Sequence, residues 1–171
     1  MYQWGLKPVY KIESKTKWDV ISTPVNFQKI TEETFNLIFD HEFDYDSSNV
    51  TYFAFTYPFG YKDVWDQLDE LEAKLSLSDD IYFFRELVTY SLEKRRVELI
   101  TITDHSNMTN SEEPFIDGLF PESKSKEARR PMIFNKPTIF FSARVHPGEV
   151  AASFVLNGIL SVITDPINAF G

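Results

Sequence analysis

With 171 residues, the chain is long enough for one ordinary domain, or for a small domain and part of another. Its 43% hydrophobic and 16% aromatic content can fill a packed core and excludes wholesale disorder, while the absence of cysteine excludes disulfide frameworks and thiolate metal sites. A net charge of −9, from 26 acidic against 17 basic residues, argues against nucleic acid and anionic membrane as partners.

The opening stretch Met1-Tyr2-Gln3-Trp4-Gly5-Leu6-Lys7 has no apolar core of signal-peptide length, and no segment is long enough to cross a bilayer. These features predict a soluble, cytosolic protein. Weak strand signals follow around Val9-Tyr10-Lys11-Ile12 and Val25-Asn26-Phe27. Residues 35 to 43 alternate: Phe35, Leu37, Phe39, His41 and Phe43 share one face, and Asn36, Asp40, Glu42 and Asp44 the other, with Ile38 the exception. The polar loop Asp46-Ser47-Ser48-Asn49 leads into Val50 to Tyr57, which is apolar on both faces and so reads as a strand covered on both sides. The two runs predict a hairpin within an antiparallel β-sandwich spanning residues 1–60.

Pro58-Phe59-Gly60 ends that pattern. Asp63 is suited to cap a helix in which Val64, Leu68, Leu71 and Leu75 recur at helical spacing. Leu87 to Tyr90 and Val97 to Thr103 flank the charged turn Glu93-Lys94-Arg95-Arg96 and predict a second hairpin. Residues 104 to 131 form a long polar connection, which its apolar cluster Phe115, Ile116, Leu119 and Phe120 is expected to pin down. Thr138 to Val145 is a nearly continuous apolar run of strand length. From Glu149 onward, Ala151, Phe154, Val155, Ile159 and Val162 repeat as on a helix, which Asp165-Pro166 stops. A buried strand turning tightly into an amphipathic helix is the unit of a mainly parallel α/β sheet, predicted here for residues 61–171.

The turn between that strand and helix reads His146-Pro147-Gly148-Glu149, at the carboxyl end of the strand where α/β sheets place their sites. An imidazole and a carboxylate three residues apart in a tight turn can converge on one Zn²⁺, which accepts both ligand types at ~2.0–2.2 Å. The same residues also admit a purely structural reading. His146 would then finish the strand, and Glu149 would occupy the first turn of a helix whose dipole favours it there. The basic residues Lys124, Lys126, Arg129, Arg130 and Lys136 could dock an acidic tail, although charged loop residues more often face water. His41 reads as a hydrogen-bonded core residue and His105 as a loop residue; Arg144 is placed for a contact to Glu149.

The run Phe141-Ser142-Ala143-Arg144-Val145-His146-Pro147-Gly148-Glu149, followed by Ser153-Phe154-Val155-Leu156-Asn157-Gly158, resembles the first zinc-ligand motif of the cytosolic carboxypeptidases, within the zinc metallocarboxypeptidase superfamily. Tyr52 to Tyr61 resembles the signature that ends the family's N-terminal β-sandwich, and Tyr82 to Leu87, Tyr90 to Leu92 and Leu99 to Thr103 resemble its next blocks, in order. The pattern is most similar to the type-five branch, which removes branch-point glutamates from polyglutamylated tubulin. The resemblance implies that His146 and Glu149 are two of three protein ligands to zinc. It also implies polyglutamylated tubulin or other glutamate-rich tails as partners, in the cytoplasm, at the cytoskeleton or cilium. By the same resemblance, the third ligand, the carboxylate-binding residues and the general base fall after Gly171, so these residues alone are expected to be inactive. Two rival readings stand beside this one: a non-enzymatic interaction module with a vestigial metal site, and an enzyme acting on linear side-chain glutamates or acidic C-termini.

Overall fold

A computed structural model describes residues 5–43, 48–121 and 129–165. Asp44, Asp46, Ser47, Lys124, Lys126 and Pro166, all named above, lie outside the described residues. The chain divides into two compact units, Met1–Phe59 and Gly60–Gly171.

The first unit is β-rich. Strands β1 (Val9–Ile12), β2 (Asp19–Val20) and β5 (Thr51–Ala54) form one antiparallel sheet in the order β2-β1-β5, and β3 (Val25–Lys29) with β4 (Phe35–Phe39) forms another. The hairpin expected between residues 35–43 and 50–57 is therefore corrected. β4 folds back on β3, with Phe27 opposite Leu37, while β5 pairs with β1, with Tyr10 opposite Phe53. Turn chemistry explains the choice. The short segment Thr31 to Thr34 closes on itself, with the Ile30 N–H donating to the Thr34 carbonyl at 3.0 Å and the two threonine hydroxyls 2.7 Å apart. A short, self-bonded turn costs less closure entropy than the longer path to residue 51. Val9, Ile12 and Ile21 form the buried core of this unit. His41 lies edge-on to Tyr10, Phe43 and Phe53, with ring centroids 4.5, 4.9 and 5.0 Å away, and Phe39 meets Phe53 at 5.8 Å. This aromatic seam ties the β4 side to β5. His41 is thus held mainly by ring contacts, and Tyr52, Phe53, Phe55 and Tyr57 remain substantially exposed rather than covered on both faces.

The second unit opens with α1 (Tyr61–Leu75). Gly60, not Asp63, is its N-cap; Asp63 sits three residues in, and its Oδ2 accepts the Gly60 N–H at 2.6 Å. Leu68 and Leu75 are buried, as their spacing requires. β6 (Tyr82–Tyr90) and β7 (Arg96–Thr103) form the expected hairpin, with a bulge between Leu87 and Thr89. Arg85 links the layers: it donates to Asp69 of α1 at 2.7 Å, pairs with Glu98 of β7 at 3.5 Å, and its guanidinium lies 4.8 Å from the Trp65 ring centroid.

Within and just after the connection from 104 to 131 lies a further antiparallel pair, β8 (Met108–Glu112) with β9 (Pro131–Ile133). Of its apolar cluster, Phe120 is buried while Phe115 and Ile116 stay exposed. The Phe120 N–H donates to the Val88 carbonyl at 2.8 Å, which fastens this segment to β6.

Residues 138–145 form no strand, and all the sheets among the described residues are antiparallel. The parallel sheet predicted for this region does not occur among the described residues. An extended segment needs a neighbour to satisfy its backbone N–H and carbonyl groups, and none of the described strands lies beside it. Its side chains are correspondingly open to solvent, with Ile139 at 74% and Phe140 at 78% exposure. α2 (Val150–Ile163) does form, but it buries Ser153 and Leu160, while Phe154, Val155 and Val162 on its expected apolar face are exposed.

Candidate metal site

The corner between residues 138–145 and α2 is built from four local devices. Arg144 adopts a left-handed backbone (φ +56°) two residues before His146. Pro147 and Gly148 form the turn. Glu149 is the N-cap of α2, and its N–H donates to the His146 carbonyl at 3.1 Å. In return, the His146 N–H donates to Glu149 Oε2 at 3.3 Å.

These bonds bring the two side chains together. His146 Nδ1 lies 2.8 Å from Glu149 Oε1, with the side chains 75% and 51% exposed. If the ring carries its proton on Nε2, Nδ1 and Oε1 become two lone-pair donors directed at one point, open to solvent. Two donors bound tetrahedrally at ~2.1 Å lie roughly 3.4 Å apart, so a small opening of the pair admits a zinc ion between them. The donor set, one imidazole and one carboxylate, suits that ion. Among the described residues no group of three or more ligating side chains occurs, so this corner offers two ligands, one fewer than a catalytic zinc takes from its protein.

Beside Glu149 lies a shallow, open depression of about 330 Å³, lined by Phe141, Val145, Val155, Leu156 and Ile159, with Glu149 and Arg144 as its polar members. Arg144 donates through Nε and Nη2 to the Pro147 carbonyl, at 3.1 and 3.0 Å. His105 sits elsewhere, in a loop as expected, with Nε2 3.2 Å from the Ser78 carbonyl oxygen and its ring edge-on to Tyr82.

The basic run is not a free patch where it is described. The Arg129 Nε–H donates to Glu86 Oε1 at 2.7 Å, with the side chains only 5% and 2% exposed, and another of its N–H groups donates to the Pro114 carbonyl at 2.7 Å. Its guanidinium carbon lies 3.6 Å from the Phe120 ring centroid. Arg130 pairs with Glu113 at 3.2 Å and Lys136 with Asp104 at 2.8 Å. Arg129 is thus neither a docking residue nor a solvated loop residue. Sequence reasoning missed this pair, although the adjacent charges Arg85 and Glu86, inside the otherwise apolar run Ile81 to Val88, point to opposite faces of a strand and each needs its own partner.

No protein-family model matches the chain. Against curated proteins, it is 39% identical over 176 residues to cytosolic carboxypeptidase-like protein 5 of Mus musculus, a match covering 97% of this chain and 19% of the relative. The human counterpart is 38% identical over the same share of each. This chain is a homologue of the cytosolic carboxypeptidases. Cytosolic carboxypeptidase 6 of Mus musculus also matches, at 29% identity over 165 residues, covering 95% of this chain and 26% of the relative. Identity to these type-five relatives thus exceeds that to the type-six one. The homologue spans about a fifth of the length of the type-five relatives.

Proposed function

We propose that this chain supplies part of the active site of a zinc metallocarboxypeptidase, with His146 and Glu149 as two of three protein ligands. The observation that carries the reading is the 2.8 Å approach of His146 Nδ1 to Glu149 Oε1 at an open turn, in a chain homologous to cytosolic carboxypeptidases. The third ligand and the general base are assigned to other parts of the whole protein. In that protein, we propose, residues 138–149 form the strand-to-helix corner of an α/β catalytic domain. Zinc bound there would lower the pKa of its water to about 7 and polarise a scissile carbonyl. The chain's own residues would do three things: give up the proton between Nδ1 and Oε1, present both donors to the metal, and place Glu149 at the edge of the apolar depression.

The substrates proposed for the whole protein are terminal glutamates, at branch points or in linear chains, on polyglutamylated tubulin or similar acidic tails. This choice rests on the resemblance of residues 141–158 to the type-five branch; the names of the relatives support a carboxypeptidase. Arg129, Arg130 and Lys136 are already neutralised by Glu86, Glu113 and Asp104, so they lend it no support.

The test uses the full-length protein purified with zinc available. One zinc per molecule by elemental analysis is expected in the wild type, falling well below stoichiometric in His146→Ala and Glu149→Ala, together with loss of glutamate release from a glutamylated tail peptide. Zinc content unchanged in both variants would remove the basis of the assignment and leave the interaction-module reading in its place.

A further inference from the structure

We infer that Arg144 is a positioning residue for this metal corner, acting through the Pro147 carbonyl; the inference rests on the proposed metal-binding role of His146 and Glu149. Three observations carry it. First, the corner is held by hydrogen bonds rather than by packing. A Cβ built on Gly148 would meet nothing within 4 Å, and both His146 and Glu149 are exposed. Second, Pro147 has no N–H, so its carbonyl is the only backbone group by which that residue can be gripped, and two guanidinium N–H groups converge on it at 3.1 and 3.0 Å. Third, Arg144 is in the left-handed region at φ +56°, and this aims its half-buried side chain back over the turn that follows.

Metal binding changes the balance of these bonds. Once Nδ1 and Oε1 face an ion, the 2.8 Å bond between them is no longer available to close the turn. What remains is the backbone bond from the Glu149 N–H to the His146 carbonyl, the longer bond from the His146 N–H to Glu149 Oε2 and the Arg144 fork on Pro147. The fork therefore matters more in the metal-bound state than in the free one, and that difference is what makes a side chain contribute to affinity. Simple electrostatics predicts the opposite sign, because a cation near a metal site repels Zn²⁺ and its removal would tighten binding. The direction of the change thus separates positioning from charge.

The experiment measures Zn²⁺ affinity of the full-length protein by competition with a chromophoric chelator, and the visible absorption spectrum of its Co²⁺ form, for wild type, His146→Ala, Arg144→Ala, Arg144→Gly and Arg144→Lys. Partners that orient ligands contribute roughly 10- to 100-fold to metal affinity, and because this one acts through a backbone carbonyl, about 10-fold weakening is expected in Arg144→Ala. Arg144→Gly keeps the left-handed backbone and is expected to weaken binding similarly, with an altered Co²⁺ spectrum, and it serves as the measurement if Arg144→Ala does not fold. Arg144→Lys, which can give one hydrogen bond instead of a fork, is expected to recover part of the loss. Unchanged or tighter zinc binding in the alanine and glycine variants overturns the inference, as does full recovery by glycine, which would show that only the backbone conformation matters. If the wild type binds no zinc, or His146→Ala binds it equally well, the metal-site reading itself falls and takes this inference with it.

Discussion

Replacing Arg129 by alanine should destabilise the second unit strongly. The Arg129–Glu86 pair is buried on both sides, with a 2.7 Å hydrogen bond and 5% and 2% exposure. Removing one partner strands a carboxylate away from water, which typically costs about 3–5 kcal/mol. The same change frees the Pro114 carbonyl and uncovers Phe120, whose ring lies 3.6 Å from the guanidinium carbon and whose backbone is in the left-handed region at φ +54°. That strained residue is held by its N–H bond to Val88 and by the cation above it. The assay is urea unfolding followed by circular dichroism. With a slope of roughly 2 kcal/mol per molar, a loss of about 4 kcal/mol lowers the midpoint by about 2 M. The double variant Glu86→Leu/Arg129→Met should recover most of the loss, because an apolar pair of similar volume removes the stranded charge. A midpoint shift below about 0.5 M in Arg129→Ala, or no recovery in the double variant, would refute the reasoning.

Asp104 offers a pH-dependent test. Hydrogen bonds from Lys136 and from Ser106 hold its carboxyl far below the usual carboxylate range. A depressed folded-state pKa means that the associated stability is complete above the unfolded value, near pH 4, and drains away as pH falls below it. Lys136→Met should therefore flatten the acid limb of the stability profile below about pH 4, and a ¹³C titration of the Asp104 carboxyl should move upward; an unmoved titration would disprove the pairing. In the first unit, Ile21→Ala should cost about 2–5 kcal/mol because Ile21 is fully buried, while Ile30→Ala, at an exposed position, should stay within about 0.5 kcal/mol; thermal melts of the two decide it. Together with the zinc content of His146→Ala and Glu149→Ala, these measurements test both the fold and the site.

The local elements were legible because their causes are local. The 3-4 spacing of Val64, Leu68, Leu71 and Leu75 needs only the helix period to predict α1, and the charged turn at Glu93 to Arg96 between two apolar runs suffices for the β6–β7 hairpin. The His146–Glu149 approach is likewise a property of a four-residue turn, and Pro147-Gly148 announces it. Pairing is different. That β4 joins β3 rather than β5 depends on the cost of closing each connection, and alternation within residues 35–43 is silent on that choice.

The departures from expectation over residues 138–145 and over Arg129 share a cause. An apolar run states that a segment wants neighbours but not whether any are present, and here the described sheets provide none. A cluster of cations states a net charge but not which member is buried; only the fold brings Glu86 to Arg129 across 43 residues of chain. The sequence by itself thus determined what is set within a few bonds: helix periods, turn residues and the convergence of one imidazole with one carboxylate. Strand partners, the burial of the Arg129–Glu86 pair and the exposure of Phe140 were decided by tertiary structure, because each depends on free energies of groups distant in sequence and adjacent only in space.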